Sequence, residues 1–342
     1  MVKWLAISDT TKKNAYEQIA EKSGMSAFAV EKDWWVVQTL AVIFEMEIAS
    51  HLVFKGGTSL SKVWKLIERF SEDIDLAIDR NYFGFTGELS KNQRDKLRKT
   101  TGRFVEEQFF GELKQKFEEK GLLGINIELE EEVESDKDRK INIYYPNVNE
   151  SPGYLLPRVQ IEISCRSLRE PFKIQAIASL VDEFYPDADF AQSLIDIPTV
   201  IPERTFLEKV FLLHEEFHRP QDKMRVDRLS RHLYDVVKLA RTEIAYNALN
   251  DRELYETIVE HRQKFTRVGG VDYNLHQPQT IDPIPLPEII DAWRADYNTM
   301  IQQMIYETNP PSFDQMIAEL TELRSRFNAL TWRLNNVYPS PS

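Results

Sequence analysis

The sequence predicts an α+β protein in two parts: a mixed-sheet domain over residues 1–200 and an all-helical domain over residues 201–342. Three observations predict it. Strand-like and helical runs alternate up to about residue 200, after which helical periodicity continues while strand signals nearly vanish. A proline-containing stretch, Ile197-Pro-Thr-Val-Ile-Pro202, marks the join. The chain has 342 residues, enough for two domains of ordinary size.

In chain order, residues 12–50 read as two helices, the second carrying Phe28, Val36, Leu40 and Ile43 at helical spacing, with Trp34 and Trp35 on adjacent faces. His51-Leu-Val-Phe54 reads as a short apolar strand, Lys55-Gly56-Gly57 as a turn, and Thr58 to Arg69 as a helix. Ile74 to Ile78 alternates carboxylate and apolar residues and reads as a second strand. Lys91 to Lys120 reads as one long amphipathic, charge-rich helix. Strand-like runs follow at Ile125–Glu130, Ile141–Tyr145 and Val159–Ser164, and the acidic stretch from Glu128 to Asp138 reads as a solvated strand edge and turn. Beyond the join, Glu203–Phe217, Val226–Tyr246, Arg252–Phe265, Pro287–Tyr306 and Phe313–Arg333 carry helical periodicity, and residues 270–287, with prolines at 278, 283, 285 and 287, read as a loop.

Composition bounds the function. Hydrophobic residues make up 42% of the chain, enough for a buried core. The single cysteine, Cys165, excludes a disulfide framework within the chain and fits a reducing compartment, where burial as a small apolar group is its expected role. The first residues show no apolar core of a secretory signal, and no apolar run reaches the length of a membrane span, so a cytoplasmic protein is expected. Net charge is −12, from 43 basic and 55 acidic residues, which argues against a nonspecific duplex binder but leaves room for a local basic patch.

The chemistry lies in Phe54-Lys-Gly-Gly-Thr-Ser-Leu-Ser-Lys-Val63 and Arg69-Phe-Ser-Glu-Asp-Ile-Asp-Leu76. Gly56 and Gly57 fall between a strand and a helix start, where glycine allows close approach of backbone to a ligand and helix N–H groups face phosphate. Thr58, Ser59 and Ser61 add hydroxyls, with Lys62 nearby. Asp73 and Asp75 are two apart on a strand and leave the same face. Two such carboxylates repel unless a cation joins them, and magnesium is a natural partner. Glu162, between isoleucines in a later strand, completes a set of three acids if that strand lies beside the first. Three carboxylates can hold two magnesium ions about 3.5–4 Å apart and drive an in-line displacement on a nucleoside triphosphate (NTP). A lone Gly-Gly or Asp-x-Asp is weak; the ordered combination is strong.

These residues resemble the nucleotidyltransferase superfamily signature of an apolar residue with Gly-Gly or Gly-Ser, a spacer, then Asp-x-Asp/Glu. More closely, most of the chain is similar to the AbiEii-type abortive-infection toxins, the toxic half of type IV toxin–antitoxin systems. The matching pieces are Glu31-Lys-Asp-Trp-Trp-Val36, Phe54 to Lys62, Arg69 to Leu76, Glu162-Ile-Ser-Cys-Arg-Ser-Leu-Arg-Glu-Pro171, Arg204-Thr-Phe-Leu-Glu-Lys209 and Arg228-Leu-Ser-Arg-His-Leu-Tyr-Asp235. Fifteen residues, Thr58 to Glu72, separate the glycines from Asp73, slightly more than the general superfamily gap. The resemblance implies a nucleotidyltransferase-like first domain, a helical domain that closes the active-site cleft, growth arrest as the biological role, a cognate antitoxin encoded nearby, and tRNA as the leading acceptor. It also implies that Lys209 contacts the NTP phosphates and that Asp235 positions Lys209 or the acceptor, with Arg231 beside them. Arg228, Arg231 and Asp235 are spaced to share one helix face. A salt-bridge ladder of Asp227, Arg231 and Asp235 is the competing reading of that face.

Other readings compete. His214-Glu-Glu-Phe-His218 matches the H-E-x-x-H zinc pattern, but Pro220 puts His218 in the last turn and no glycine-and-histidine extension follows. Trp34 and Trp35 offer a base-stacking platform or, beside valines, core. The 91–120 helix is either an RNA-facing rail or a solvated face. At the level of function, the alternatives are a small-molecule nucleotidyltransferase, against which the large helical half counts, and a non-catalytic nucleotide-binding regulator, which has little need of Asp73, Asp75 and Glu162 together.

Overall fold

The computed structural model describes residues 2–71, 73–130, 138–151 and 156–340. Met1–Trp64 with Phe70–Val200 form one compact unit, and Lys65–Arg69 with Ile201–Ser342 form a second. Most of the acidic stretch expected as a turn, residues 131–137, and Glu72 lie outside the described residues. No described helix is long and apolar enough to cross a membrane.

In the first unit, α1 (Asp9–Ser23) begins where the Ser8 hydroxyl accepts the Thr11 N–H and ends at Gly24 in the left-handed conformation. The α2 helix (Ala27–Ile43) is capped by Ser26 and is buried from Phe28 to Ile43. A helix covered all round must satisfy its charged residues internally. Glu31 accepts from the backbone N–H groups of Val148 and Asn149, Lys32 donates to the Leu156 carbonyl, and Asp33 takes Lys62 and the Leu180 N–H. Trp34 and Trp35 are core: they meet edge to face, and Trp35 stacks on Tyr145 at 5.0 Å between ring centres.

A seven-stranded mixed sheet forms the body of this unit. Its strands are β1 (Leu52–Lys55), β2 (Asp73–Ile78), β3 (Asn126–Leu129), β4 (Lys140–Tyr144), β5 (Arg158–Ser164), β6 (Phe172–Ile177) and β7 (Ile195–Val200), in the order β3-β4-β5-β2-β1-β7-β6. The β2–β5 and β1–β7 pairs are parallel and the others antiparallel. The last two strands are not evident in the sequence. Pro198 sits inside β7, where proline ordinarily argues against a strand, and β6 is an edge strand with an exposed Ile174.

The predicted helix from Thr58 to Arg69 is corrected. An α-turn (Gly56–Thr58) passes into a π-turn (Ser59–Val63), and Lys65 takes a positive φ of 52°. The cause is local: the Ser59 and Ser61 hydroxyls bond back to the Gly56 and Gly57 carbonyls and compete with a regular helical ladder. The long charged helix is present as α3 (Lys91–Phe104), a π-turn (Val105–Phe109) and α4 (Phe110–Glu119), opened by a Ser90–Gln93 capping box.

The second unit is helical: α5 (Pro202–Phe217), α6 (Ser230–Ala240), α7 (Glu243–Asn250), α8 (Arg252–Phe265), α9 (Ile290–Gln303) and α10 (Phe313–Asn328). The expected helix from Val226 to Tyr246 is two helices, because Thr242 caps a new one at α7. Arg228 precedes α6 at a φ of 58°, its N–H and that of Ser230 bound by Asp296. It therefore does not share a helix face with Arg231 and Asp235.

Candidate active site

Register brings four charged residues into one row across four strands of the sheet. Lys140 faces Glu162, Glu162 lies beside Asp75, and Asp75 faces Lys55. Residues in register share a face and sit within reach of one another. The row reads cation, anion, anion, cation. Asp73, two residues before Asp75, points to the same side and is paired with Gln160. Burial raises the pKa of Glu162, and repulsion from Asp75 raises it further, against the pull of Lys55 and of Lys140, whose Nζ is 3.7 Å from Glu162 Oε2.

The turn that follows β1 closes on this row. Gly56 has a φ of 85°, and a Cβ built on it would fall 2.1 Å from Asp75 Oδ2. Glycine is required there twice over, by conformation and by contact with the carboxylate. The Thr58 hydroxyl donates to the Asp73 carbonyl at 2.6 Å and lies 3.0 Å from the Ser71 hydroxyl, which ties the turn to the start of β2. Ser59 is fully buried and donates to the Gly56 carbonyl. Both hydroxyls, expected on the triphosphate, are engaged in shaping the turn. Lys62, expected on the same phosphates, is buried with its ammonium 2.8 Å from Asp33 Oδ1.

A divalent cation suits part of this arrangement. Asp75 and Glu162 supply the hard oxygens such an ion takes, and the repulsion between them is what a cation would relieve. Among the described residues no three His, Cys, Asp or Glu side chains converge closely enough to hold a metal ion. Register places Asp75 beside Glu162, with Asp73 on the same face of β2.

In the second unit, Asp235 is fully buried and accepts a two-pronged bond from Arg69, 2.6 Å from Nε and 2.7 Å from Nη2, together with Lys209 Nζ at 2.9 Å. Burial disfavours its charge, but Arg69 and Lys209 hold its carboxyl far below the usual range. Burial pushes Lys209 down, and so do the charges of Arg69 and Arg231, against the pull of Asp235. Lys209 Nζ also lies 3.3 Å from His232 Nδ1, and burial beside these cations keeps that imidazole neutral. Asp235 thus binds Lys209, and Arg69 is the partner that sequence reasoning missed. The ladder with Asp227 and Arg231 gives way to this cluster; Asp227 precedes α6.

The H-E-x-x-H segment is structural. His214 is fully buried and its Nδ1 accepts the Asp282 N–H at 3.1 Å, while His218 Nδ1 bonds the His214 carbonyl at 2.7 Å. Glu215 is bound to Arg262 and lies 3.2 Å from His276 Nε2. Cys165 is buried, and burial pushes its thiol up to about 11.

Comparison with known proteins follows the same lines. A family model described as the nucleotidyl transferase AbiEii toxin of type IV TA systems matches residues 39–319, a span that contains the acid row, the glycine turn and the Arg69–Lys209–Asp235 cluster. No curated protein sequence matches. Among solved structures, MenT4, a nucleotidyltransferase toxin from Mycobacterium tuberculosis H37Rv, is 18% identical, with 94% of each chain covered and a TM-score of 0.44. JHP933 from Helicobacter pylori is 14% identical, with 88% of this chain and 91% of that chain covered and a TM-score of 0.42.

Proposed function

The chain belongs to the AbiEii family of nucleotidyltransferase toxins of type IV toxin–antitoxin systems, and on that premise we propose that it transfers a nucleotidyl group from an NTP to an acceptor in a magnesium-dependent reaction. The observation that carries the reading is the pairing of Asp75 with Glu162 on adjacent strands, against the Gly56 turn. Asp75 and Glu162, with Asp73 on the same face, are the residues assigned to the metal. A magnesium ion bound there supplies charge neutralisation for the triphosphate and lowers the pKa of an acceptor hydroxyl.

The protein's own groups do the rest. Gly56 and Gly57 let the triphosphate approach the backbone, and Thr58 and Ser59 hold the turn in shape for it. Lys209, held by Asp235, is the cation assigned to the phosphate oxygens and the leaving pyrophosphate. The resemblance to toxins that modify tRNA acceptor ends makes tRNA the acceptor to test first, the cytoplasm the place of action, and a cognate antitoxin the partner.

The test is incubation of the purified protein with magnesium, each labelled NTP in turn, and total tRNA, with Asp75→Ala as control. Label on tRNA with the native protein and none with the variant is the expected result. Absence of any NTP binding would overturn the reading.

A further inference from the structure

On the side of β5 away from Glu162, a cavity of about 320 Å³ opens between that strand and α3. Glu162 and Ile163 are successive strand residues and point to opposite faces, and Ile163 lines the cavity. Its wall on α3 carries Arg98, Lys99, Thr101 and Arg103, and Arg139 lines it as well.

The cations here divide into two groups. Arg139 is paired with Glu106, and the other acid of the wall, Asp138, is taken by Arg166 at 3.1 Å. Among the described residues, Arg98, Lys99 and Arg103 have no acidic partner. Further along the same helical segment the pattern reverses: Lys114 lies over the Phe110 ring, Lys116 pairs with Glu119 and Lys120 with Glu45. The Arg98 Nε is buried and meets no acceptor among the described residues. A buried donor left unmet carries a desolvation cost that a ligand or solvent acceptor would recover. In a protein of net charge −12, three neighbouring cations beside a cavity with no acidic partner among the described residues are a local exception.

We propose that this cavity seats backbone phosphates of the acceptor RNA, holding the body of that RNA while its reacting end is at the acid row. The chemistry is that of phosphodiester oxygens: guanidinium forks and an ammonium beside a pocket roomy enough for a phosphate with its sugar. The proposal rests on the reading of RNA as acceptor.

Fluorescein-labelled unfractionated tRNA, titrated with the protein at several salt concentrations without NTP, tests it. Three forms are compared: the native protein, Arg98→Gln/Lys99→Gln/Arg103→Gln, and Lys114→Gln/Lys116→Gln/Lys120→Gln, which removes the same charge from cations that already have partners. The first triple variant is expected to bind roughly tenfold or more weakly at physiological salt and to flatten the log–log salt slope by about 2, while the second stays within about threefold of the native protein. NTP affinity, measured separately, is expected to be unchanged in both. Equal weakening by both triple variants, or none by the first, overturns the cavity as the RNA seat and leaves the acceptor reading intact. If the native protein binds no tRNA yet transfers nucleotide to another acceptor, the cavity proposal falls together with the RNA reading.

Discussion

Gly56 and Asp75 are in contact through a space that admits no side chain: a Cβ on the glycine would fall 2.1 Å from the aspartate Oδ2. Gly56→Ala therefore has two consequences. The residue must hold a φ of 85°, at a cost of about 1–2 kcal/mol for an L side chain. Asp75 must also shift, and displacement of a reacting group by about 1 Å costs on the order of 100-fold in rate. The expected outcome is a folded protein with nucleotidyl transfer reduced about 100-fold or more. Transfer at the native rate would separate the turn from the site.

Glu162 is held at a cost that its removal should reveal. Its folded pKa is raised, by burial first and then by Asp75. A carboxyl raised in this way contributes stability that is present below its unfolded pKa and lost as pH rises through the folded value, so at neutral pH the ionised side chain disfavours the fold. Glu162→Gln should melt slightly higher than the native protein at pH 7, by a fraction of a kcal/mol, because a third of the side chain meets screening water. The difference should vanish near pH 4. Activity should be lost at every pH. A lower melting temperature at pH 7 would mean that the pull of Lys140 and Lys55 outweighs the repulsion.

Lys209 and Asp235 answer differently to substitution. Lys209→Met removes one of two cations on a buried carboxylate and leaves the Arg69 fork in place, so stability should stay within about 1 kcal/mol of native. If Lys209 acts on phosphate oxygens, the rate should fall about 100-fold or more. Asp235→Asn instead removes the buried carboxylate charge that Arg69 and Lys209 share, at about 3–5 kcal/mol. Chemical denaturation and transfer assays of both variants decide the matter. A Lys209→Met protein that is fully active would leave the cluster a purely structural one.

The sequence made some of these relationships legible and hid others for physical reasons. The Asp75–Glu162 pair was legible because strand alternation fixes the face of each residue, leaving only the adjacency of β2 and β5 to be supplied by the fold. The Gly56 turn was legible in kind, but the helix after it was overextended, since the back-bonding of Ser59 and Ser61 is a side-chain effect that periodicity does not register. Arg69 and Asp235 lie 166 residues apart, and no local spacing links an arginine in a loop with an aspartate mid-helix. Its one signal was Arg69 heading the quoted motif. Proximity to the glycines points Lys62 at the phosphates, and its bond to Asp33, 29 residues earlier, has no local signal. The β7 strand was hidden by Pro198, which a local rule excludes and the sheet accommodates.

The H-E-x-x-H segment yields a prediction about acid stability in place of one about zinc. Burial opposes the charge of Glu215, yet Arg262 and His276 bring its carboxyl down to about 2. A depressed carboxyl contributes stability that is present above the unfolded pKa and lost as pH falls through the folded value. Here the window runs from about 4.5 down to about 2. A shift of that size corresponds to about 3 kcal/mol at neutral pH. Glu215→Gln should lower the stability of the second unit by about that amount at pH 7, and the loss should shrink steadily as native and variant are compared at pH 4 and then pH 3. A deficit that stays constant across this range would show that the cost comes from packing around Arg262 and His276. A deficit that tracks pH would mean that the glutamate in this segment serves as the counter-charge of a buried arginine.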